Sequence, residues 1–401
     1  MEIVRKIIQL IAKTVAVIIL LAILAVVVTS VSPIYDFKAP EPFSGPDVFN
    51  PYRNLDSTLT WKRANFHTHT RVDGIFNECE YWPAEVLEKM EKFGYDIVTF
   101  SNHNRLTTHP VSSDLQVNVY EHGYNLFKYH KLVFGSSRVN NFDHLLPVFD
   151  FQKQFQLDIL GKDSDFIQLN HPLRTTGTSK KLMERLEGYQ IIELDSGRST
   201  ENEYWDWALS AGHYSFALAN DDLHHPDISR NIAVRCNFLC TPSASYEDLK
   251  NTLLDGCYYS MRIPDYGKGD WDIKYAKNRT LPSIESIGLD GDTIFMTLSQ
   301  KADSIKVTGQ NHRTLKLAAE TDNMQYTMSD SDSYARFTAY FPEGEVIWSN
   351  PFARYDSSMT DSPSAPASHK TNITLTILFN LLLVMLSGGI IACIYKILRK
   401  R

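Results

Sequence analysis

Two long apolar segments lie at the ends of the chain. The first runs from about Ile7 to Val31 with Lys13 as its only charge, and the second runs from Ile373 to Tyr395. Each is close to the ~20 residues that a helix needs to cross the hydrocarbon core of a bilayer. A cleaved signal peptide is the alternative for the first segment, but it would be shorter and end at a small-residue cleavage site. The length favours a retained membrane anchor.

Basic residues stand outboard of both apolar segments and predict the topology. The positive-inside rule places such residues in the cytoplasm, so both tails are expected there. The sequence between the segments is then extracytoplasmic and tethered twice to one face of the cell membrane. The basic residues are Arg5, Lys6 and Lys13 near the N-terminus and Lys396, Arg399, Lys400 and Arg401 near the C-terminus.

Two stretches without apolar periodicity divide the region between the anchors. Residues 32–60 are rich in proline and residues 356–371 are rich in Ser, Pro and Ala, which is typical of extended linkers. The predicted segments are a tail and membrane helix (1–31), a linker (32–60), a main domain (61–280), a smaller β domain (281–355), a second linker (356–371) and a membrane helix with a basic tail (372–401).

Strands and helices alternate through the main domain. A strand is predicted at 66–70, and Pro83 then opens a helix that buries Val86, Leu87 and Met90. A second apolar strand at 95–100 follows. This rhythm is typical of a β/α barrel or a doubly wound sheet, in which chemistry gathers at the carboxyl ends of strands. Further strands are predicted at 119–123, 128–135, 165–170, 190–195, 214–220 and 232–241, and further helices at 205–211 and 246–254.

Residues 281–355 show a different pattern from the main domain. Short alternating segments separated by turn signals, such as Asp290-Gly291-Asp292 before residues 293–298, predict a small β-sandwich. This region has no catalytic constellation of its own. We expect it to pack against the main domain or to contact a substrate or partner.

Charge and cysteine content exclude some classes of protein. The 401 residues carry a net charge of −7 without a long internal basic run, so nucleic acid is not an expected partner. The five cysteines lack metal-finger spacing. Cys236 and Cys240 lie in one predicted strand, roughly 13 Å apart, which is too far for a disulfide between them. Pairing of Cys79 with another cysteine stays open, and the sequence does not predict an oligomeric state.

The candidate chemistry begins with two histidines at a spacing of two. His67 and His69 share one face of an extended segment, and Asp73 follows within reach of the same ion. An isolated His-x-His pair is more often inert. Here Asp222 and His224 repeat the spacing after another predicted strand, which favours a metal site.

The order of the motifs resembles the PHP (polymerase and histidinol phosphatase) superfamily. His-x-His, Asp-Gly, Asn-His-Asn, Glu and His, Asn-His-Pro and Asp-x-His follow one another between Trp61 and Arg262. Within this superfamily, the sequence resembles the branch of CehA/McbA-like metallohydrolases. The resemblance implies an α/β fold, a distorted (β/α)7 barrel, with up to three divalent ions at the carboxyl ends of its strands. Residues 348–351 resemble the end of the immunoglobulin-like module that follows the barrel in several secreted members.

The resemblance also implies a ligand set. The implied ligands are His67, His69, Glu121 and Asp222 for a first ion, Asp73, His103 and His224 for a second, and His130 and His171 with a bridging Glu121 for a third. His122 and His144 are alternatives to His130, and Gly135-Ser136-Ser137 is an alternative alignment for the position of Glu121.

One position departs from the family pattern, and two more suggest roles in catalysis. The usual Thr-Asp-His-Asn is Ser101-Asn102-His103-Asn104 here, so Asn102 can form hydrogen bonds but cannot act as a base. Arg174 is a candidate for binding a phosphate oxygen, with a purely structural arginine as the alternative. His225 is a candidate proton donor to the leaving oxygen.

These expectations define a predicted function. Three divalent ions against three carboxylates leave a net positive site that suits phosphate, and a metal-activated hydroxide can attack phosphorus. The chain is therefore predicted to be a membrane-anchored extracytoplasmic phosphoesterase that uses zinc, manganese or iron. Its expected substrate is a phosphorylated small molecule or a lipid-linked or envelope component. The alternatives are a catalytically silent PHP-fold binding protein and a metal-dependent amide or ester hydrolase.

Overall fold

A strand-rich body lies between two long terminal helices in the computed structural model, which describes residues 2–74, 77–194 and 202–399. The helices are α1 (Glu2–Thr29), α2 (Pro83–Glu91), α3 (Asp150–Leu160), α4 (Lys180–Met183), α5 (Glu203–Ser210), α6 (Tyr246–Asp255), α7 (Trp271–Asn278) and α8 (Ile373–Arg399). The strands are β1 (Tyr35–Asp36), β2 (Asp47–Phe49), β3 (Lys62–Asn65), β4 (Ile97–Val98), β5 (Val119–His122), β6 (Lys131–Phe134), β7 (Phe166–Leu169), β8 (Ile191–Glu193), β9 (Phe216–Leu218), β10 (Arg235–Leu239), β11 (Tyr258–Arg262), β12 (Ile284–Asp290), β13 (Thr293–Gly309), β14 (Arg313–Thr327), β15 (Tyr334–Tyr340), β16 (Val346–Ser349), β17 (Phe352–Tyr355) and β18 (Lys370–Thr371).

The strands form two large sheets and one small one. A five-stranded sheet has the order β5-β6-β7-β8-β9, and an 11-stranded sheet follows the path β12-β13-β15-β16-β11-β10-β3-β4. Strand β8 pairs in parallel with both β7 and β9, and β3 pairs in parallel with β4. Strand β6 pairs in antiparallel orientation with both β5 and β7. The fold is thus mixed α/β, and strict strand–helix alternation does not hold around β5 and β6.

Two isolated bridges connect the large sheets. Thr68 pairs with Leu223 and His103 pairs with Glu121, both in parallel orientation. The first bridge joins the segments that follow β3 and β9, and the second joins the segment after β4 to β5. Strands β3 to β9 therefore follow one another in a ring, and the segments that carry the candidate ligands meet at the bridges.

Two helices form for the reasons that the sequence predicts. Pro83 occupies the first turn of α2, and the Glu85 carboxylate accepts the Trp82 backbone N–H at 2.8 Å. Gly94 follows this helix with a φ of 78°. In α6 the Ser245 hydroxyl accepts the Asp248 N–H, and Gly256 ends the helix with a φ of 83°.

The strand predicted at 66–70 is wrong in its position. Strand β3 ends at Asn65, because the next backbone N–H groups donate to side chains and not to a neighbouring strand. The Asn65 amide oxygen accepts the His67 N–H at 3.2 Å, and the Ser101 hydroxyl accepts the Thr68 N–H at 3.1 Å. His67 and His69 thus stand just beyond the strand. Asp195, the last residue of another predicted strand, lies outside the described residues.

The C-terminal strands continue the sheet of the main body. Strand β16 pairs with β11 from Tyr259↔Ser349 to Arg262↔Val346, so hydrogen bonds cross the predicted boundary at residue 280. The predicted linker at 32–60 contributes β2 to the same sheet through β17 and buries Phe43, Phe49 and Tyr52. The β-sandwich form and the domain boundaries stay predictions.

Helices α1 and α8 are long and apolar enough to cross a membrane. They contact each other, and β1 pairs with β18 just beyond them. The Asn380 amide donates to the Ser32 carbonyl at 3.0 Å, which ties the second helix to the end of the first. The basic residues Lys400 and Arg401 lie outside the described residues.

The cysteines form no disulfide. Cys79, Cys236, Cys240 and Cys257 are buried thiols, whereas Cys393 on α8 is exposed. The pairing that the sequence left open for Cys79 is not formed, and its sulfur contacts the Tyr81 carbonyl at 3.8 Å instead.

Candidate metal centre

The buried carboxylate of Glu121 on β5 lies at the middle of a histidine cluster. Its Oε2 is 3.2 Å from His67 Nε2, 3.2 Å from His69 Nε2 and 3.0 Å from His103 Nε2. These three histidines lie on the segments that follow β3 and β4. The bridge between His103 and Glu121 places β5 next to those segments, which is why residues far apart in the sequence converge here.

The other oxygen of Glu121 faces a second side of the cluster. Oε1 is 3.2 Å from His130 Nδ1 and 3.3 Å from His171 Nε2, and it accepts a hydrogen bond from the Asn170 amide at 2.8 Å. Glu121 therefore contacts histidines from four segments with its two oxygens. This is the arrangement that a bridging carboxylate requires.

Asp222 completes the first group of candidate ligands. Ligand atoms of His67, His69, Glu121 and Asp222 lie within 4.8 Å of one another. Asp222 Oδ1 is 3.2 Å from His67 Nε2 and 3.3 Å from His69 Nε2. These are the residues that the resemblance implies for a first ion.

Glu193 at the end of β8 orients His67, and sequence reasoning missed it. Its Oε1 lies 2.8 Å from His67 Nδ1, and its Oε2 accepts the His171 backbone N–H at 2.9 Å. The proton of His67 is thereby held on Nδ1, so that Nε2 directs its lone pair into the cluster. The predicted strand continued to residue 195 and so placed Glu193 inside it, whereas β8 ends at Glu193 and brings its carboxylate to the site.

The second group contains a carboxylate that the sequence analysis did not select. Ligand atoms of His69, Glu78 and His103 come together, with Glu78 Oε2 3.5 Å from His69 Nδ1 and 3.4 Å from His103 Nε2. Among the described residues, Asp73 belongs to none of the three groups, and its carbonyl accepts from the Arg105 guanidinium at 2.6 Å. Spacing alone gave no reason to choose Glu78 within this loop.

His224 lies beside the first two groups without joining either. Its ring centroid is 4.1 Å from that of His69, and its Nδ1 is 2.8 Å from the Asp222 carbonyl oxygen. Asp222 and His171 adopt left-handed backbone conformations, with φ of 50° and 29°. Such strain at non-glycine residues is often concentrated at functional sites.

The third group consists of His103, Glu121 and His130. The two alternatives to His130 have partners elsewhere. His122 Nε2 lies 2.8 Å from the Phe142 carbonyl, and His144 Nδ1 lies 3.1 Å from the Gln156 amide nitrogen. The structure therefore brings His130, rather than either alternative, to the central glutamate.

Burial and charge oppose each other throughout the cluster. Burial disfavours charge on His67, but Glu121, Glu193 and Asp222 outweigh it and raise the pKa of this imidazole well above its usual value. The pKa of His69 is raised to about 9, against the effect of burial, by hydrogen bonds to Asp222 and Glu121. Burial alone would raise the pKa of Glu121 and of Asp222, yet the surrounding histidines hold both well below the usual range.

Three other histidines of the site, His103, His130 and His224, favour the neutral form. Burial lowers the pKa of His103, of His130 and of His224. The site therefore combines ionised carboxylates with three imidazoles that favour the neutral form, whereas His67 and His69 favour the charged form until a cation replaces their protons.

The geometry fits a divalent cation. Once His67 is neutral, Glu193 holds the remaining proton on Nδ1, and Nε2 and the nearby oxygens of Glu121 and Asp222 are then three acceptors directed at one another. Asp222 Oδ1 is buried, and the ring nitrogens of His67 and His69 are its neighbours at 3.2 and 3.3 Å. A cation among these atoms offsets their mutual repulsion; without one, the buried carboxylates raise the pKa of His67 and of His69. Imidazole and carboxylate donors suit zinc, manganese and iron.

The three residues predicted to assist catalysis occupy different positions. The Arg174 guanidinium pairs with Asp222 at the edge of the site. His225 is exposed, with its ring centroid 6.4 Å from that of His224. Asn102 connects two loops, because its side chain accepts the Thr70 N–H and donates to the Thr70 and Thr107 hydroxyls at 2.7–2.8 Å.

Comparison with known proteins gives two similar structures. No protein-family model matches the chain, and no curated protein matches it significantly. One is a two-domain protein from Bacteroides vulgatus that contains a predicted PHP-like metal-dependent phosphoesterase. It has 16% sequence identity and a TM-score of 0.39, and the match covers 79% of this chain and 100% of the Bacteroides chain. The lesion-specific endonuclease EndoQ from Pyrococcus furiosus has 13% identity and a TM-score of 0.33, covering 48% of this chain and 56% of its own.

Proposed function

We propose that the chain is a membrane-anchored, metal-dependent phosphoesterase of the PHP superfamily, in its CehA/McbA-like branch. The observation that carries the proposal is the convergence of five histidines on the two oxygens of buried Glu121. Burying such a group would be costly without a cation to balance it. The ring of strands β3 to β9 supports a distorted seven-stranded barrel, and the C-terminal strands are assigned to an immunoglobulin-like module.

The residues divide into three ligand sets around the central glutamate. His67, His69 and Asp222 are proposed for one ion, and His130 and His171 for another, with Glu121 shared. His103 is proposed for a further ion, with Glu78 now added to Asp73 and His224 as its candidate partners. When bound, these ions supply Lewis acidity and lower the pKa of a coordinated water.

Partly exposed groups at the edge of the site are proposed to handle the phosphate ester. Arg174 retains 29% exposure of its side chain while paired with Asp222, so its guanidinium is oriented and still accessible to a phosphate oxygen. His225 is proposed to protonate the leaving oxygen. Asn102 holds the loop of His67 and His69 against the loop of His103 and has a positioning role.

The membrane arrangement completes the proposal. Helices α1 and α8 are assigned as two spans with both tails in the cytoplasm, which places the metal centre outside it. The support is the length and apolarity of the helices together with the basic residues at their outer ends. A reporter fused after Arg401 and detected outside the cell would contradict this topology.

The test uses full-length protein in nanodiscs, stripped by a chelator and reloaded with zinc, manganese or iron. Elemental analysis is expected to find at least two ions per chain, and phosphomonoesters or phosphodiesters are expected to be cleaved in preference to aryl esters and amides. His67→Ala and Asp222→Ala should abolish turnover and lower metal content without unfolding the chain. His213→Ala, a histidine remote from the site, is the control.

Two results would replace the proposal with its alternatives. Fewer than two tightly held ions and no turnover would favour a catalytically silent binding protein. Turnover of esters or amides with no phosphoester cleavage would favour the other hydrolase.

A further inference from the structure

An apolar rim connects the opening of the metal centre with the ends of the two apolar helices. The rim consists of Tyr124, Leu126 and Leu173, which are 57%, 69% and 43% exposed. Exposed apolar side chains that lie near one another often mark a surface that binds a protein or a membrane. The elements on either side of the rim indicate what its side chains contact.

One side of the rim lies against the metal centre. The Tyr124 ring is centred 5.1 Å from the His103 ring, and its hydroxyl donates to the His103 carbonyl at 3.1 Å. Leu173 lies between His171 and Arg174 in the chain. The rim therefore borders the partly exposed side of the site, where a substrate has to enter.

The two loops of the rim are joined to each other. The Thr176 N–H donates to the Phe127 carbonyl at 2.8 Å, and the Thr175 hydroxyl donates to the Lys128 carbonyl at 2.9 Å. The loop that carries Leu173 is thus held against the loop that carries Leu126. Lys128 is exposed beside these apolar side chains.

The other side of the rim reaches the end of the first apolar helix within two hydrogen bonds. The Leu126 N–H donates to the Leu145 carbonyl at 3.2 Å, and the Leu145 N–H donates to the Thr29 hydroxyl at 3.3 Å. Thr29 is the last residue of α1. The Gln152 side chain adds a contact to the Ser30 carbonyl at 3.4 Å.

The second apolar helix is contacted by the same region. Phe149 and Phe151 stack on each other at 5.1 Å, and both rings meet Phe379 of α8, at 6.3 and 5.3 Å. Val148 and Phe149 are themselves 54% and 49% exposed. Exposed apolar side chains thus extend from the ends of both helices to the opening of the metal centre.

We infer that this rim lies in the membrane interface and that the substrate is a phosphate ester of a membrane lipid. The inference rests on the proposed phosphoesterase function and on α1 and α8 spanning the bilayer. Apolar side chains at the level of the helix ends enter the boundary between headgroups and acyl chains, while exposed Lys128 suits an anionic headgroup. A lipid phosphate would then reach the ions without leaving the bilayer surface.

Contact with the bilayer is tested without reference to activity. The full chain with Cys393→Ser is labelled with an environment-sensitive fluorophore at Leu126→Cys and reconstituted in phosphatidylcholine vesicles. Nitroxide-labelled lipids are expected to quench this probe. The control is Leu317→Cys, an equally exposed leucine on β14 at 62%, which should be quenched only by a water-soluble agent. Equal quenching by lipid at both positions, or at neither, would overturn the inference.

The substrate class is tested on the metal-loaded protein in the same vesicles. Phosphatidic acid and phosphatidylinositol are compared with their short-chain, water-soluble forms. Leu126→Gln is expected to lower the ratio of kcat/KM for long-chain over short-chain lipid at least fivefold, and Leu317→Gln is expected to leave it unchanged. Cleavage of soluble phosphoesters without cleavage of either lipid would overturn the substrate class alone. No cleavage of any phosphoester would instead refute the proposed function, and the quenching result would stand by itself.

Discussion

Glu193 and His67 form a buried pair at the floor of the candidate metal centre, with 2.8 Å between Oε1 and Nδ1. The carboxylate fixes the tautomer of the imidazole and also accepts the His171 N–H. One residue thus sets the orientation of two candidate ligands. Carboxylates in this position increase the basicity of the ligand and are typical partners of metal-binding histidines.

Glu193→Gln is expected to weaken metal binding while the chain stays folded. Glutamine retains an acceptor for His67 but loses the negative charge that holds the proton on Nδ1, so affinity should fall by about 10- to 100-fold. Competition with a fluorescent chelator at fixed pH measures this affinity. Glu187→Gln, at a half-buried carboxylate that pairs with His369 and belongs to none of the candidate metal groups in the described part of the chain, is the control. Equal affinities in the wild type and Glu193→Gln would refute the role.

Glu78 and Asp73 offer a direct comparison between structure and resemblance. The structure brings Glu78 to His69 and His103, whereas the resemblance implies Asp73. We expect Glu78→Gln to reduce the number of tightly bound ions by one per chain and Asp73→Asn to reduce it by less, because Glu78 contacts both histidines directly. Elemental analysis after gel filtration gives the count. The reverse result would show that Asp73 moves into the site when metal binds.

The local features of the fold could be predicted from the sequence because their causes are local. Helix α2 follows from Pro83, Glu85 and its apolar stripe, and α6 follows from its serine cap and Gly256. The alternation of side chains likewise placed His67 and His69 together.

Features that depend on distant pairing could not be predicted in the same way. The contact of Glu193 with His67 spans 126 residues, and no local pattern encodes which strand ends meet. The pairing of β11 with β16 was hidden for the same reason: no strand was predicted at residues 258–262, and no local pattern connects them with residues 346–349. Arg174 was identified as a residue of the site, but its pairing with Asp222 depends on the closure of the ring of strands.

His369 connects the approach to α8 with the main body and should make that connection sensitive to pH. Its two ring nitrogens face Asp158 at 3.0 Å and Glu187 at 2.9 Å. Burial lowers its pKa, but these carboxylates outweigh burial and raise the pKa to about 9, while the hydrogen bonds from His369 and Ser368 lower the pKa of Glu187 to about 2 against its own burial.

The sign of the pH effect follows from these shifts. The raised pKa of His369 contributes stability that is fully present below pH 6.5 and is lost as pH rises through about 9. The lowered pKa of Glu187 contributes stability that is fully present above pH 4.5 and is lost as pH falls through about 2. The connection should therefore be strongest between pH 4.5 and 6.5. The protection factors of the amides of residues 368–371, which are exchange rates corrected for their intrinsic pH dependence, measure it across pH 5 to 10. His369→Gln should abolish the loss of protection at alkaline pH.

Asp206 on α5 and Arg336 on β15 are expected to make the C-terminal strands unfold together with the main body. The carboxylate is fully buried and accepts from Arg336 Nε at 2.9 Å, Arg336 Nη2 at 2.6 Å and the Tyr334 hydroxyl at 2.9 Å. Removing one member of a buried pair costs about 3–5 kcal/mol, because the other charge is left without a partner.

Asp206→Ala should therefore lower the free energy of unfolding by about that amount, and Asp206→Leu with Arg336→Met should lower it by less. Urea unfolding in detergent, followed by fluorescence of Trp205 and Trp348, reports on both sides of the contact. A single transition in the wild type that splits into two in Asp206→Ala would show that this pair couples the two regions. If the free energy of unfolding fell as much in the double variant as in the single one, lost side-chain volume would account for the destabilisation and the unpaired charge would not.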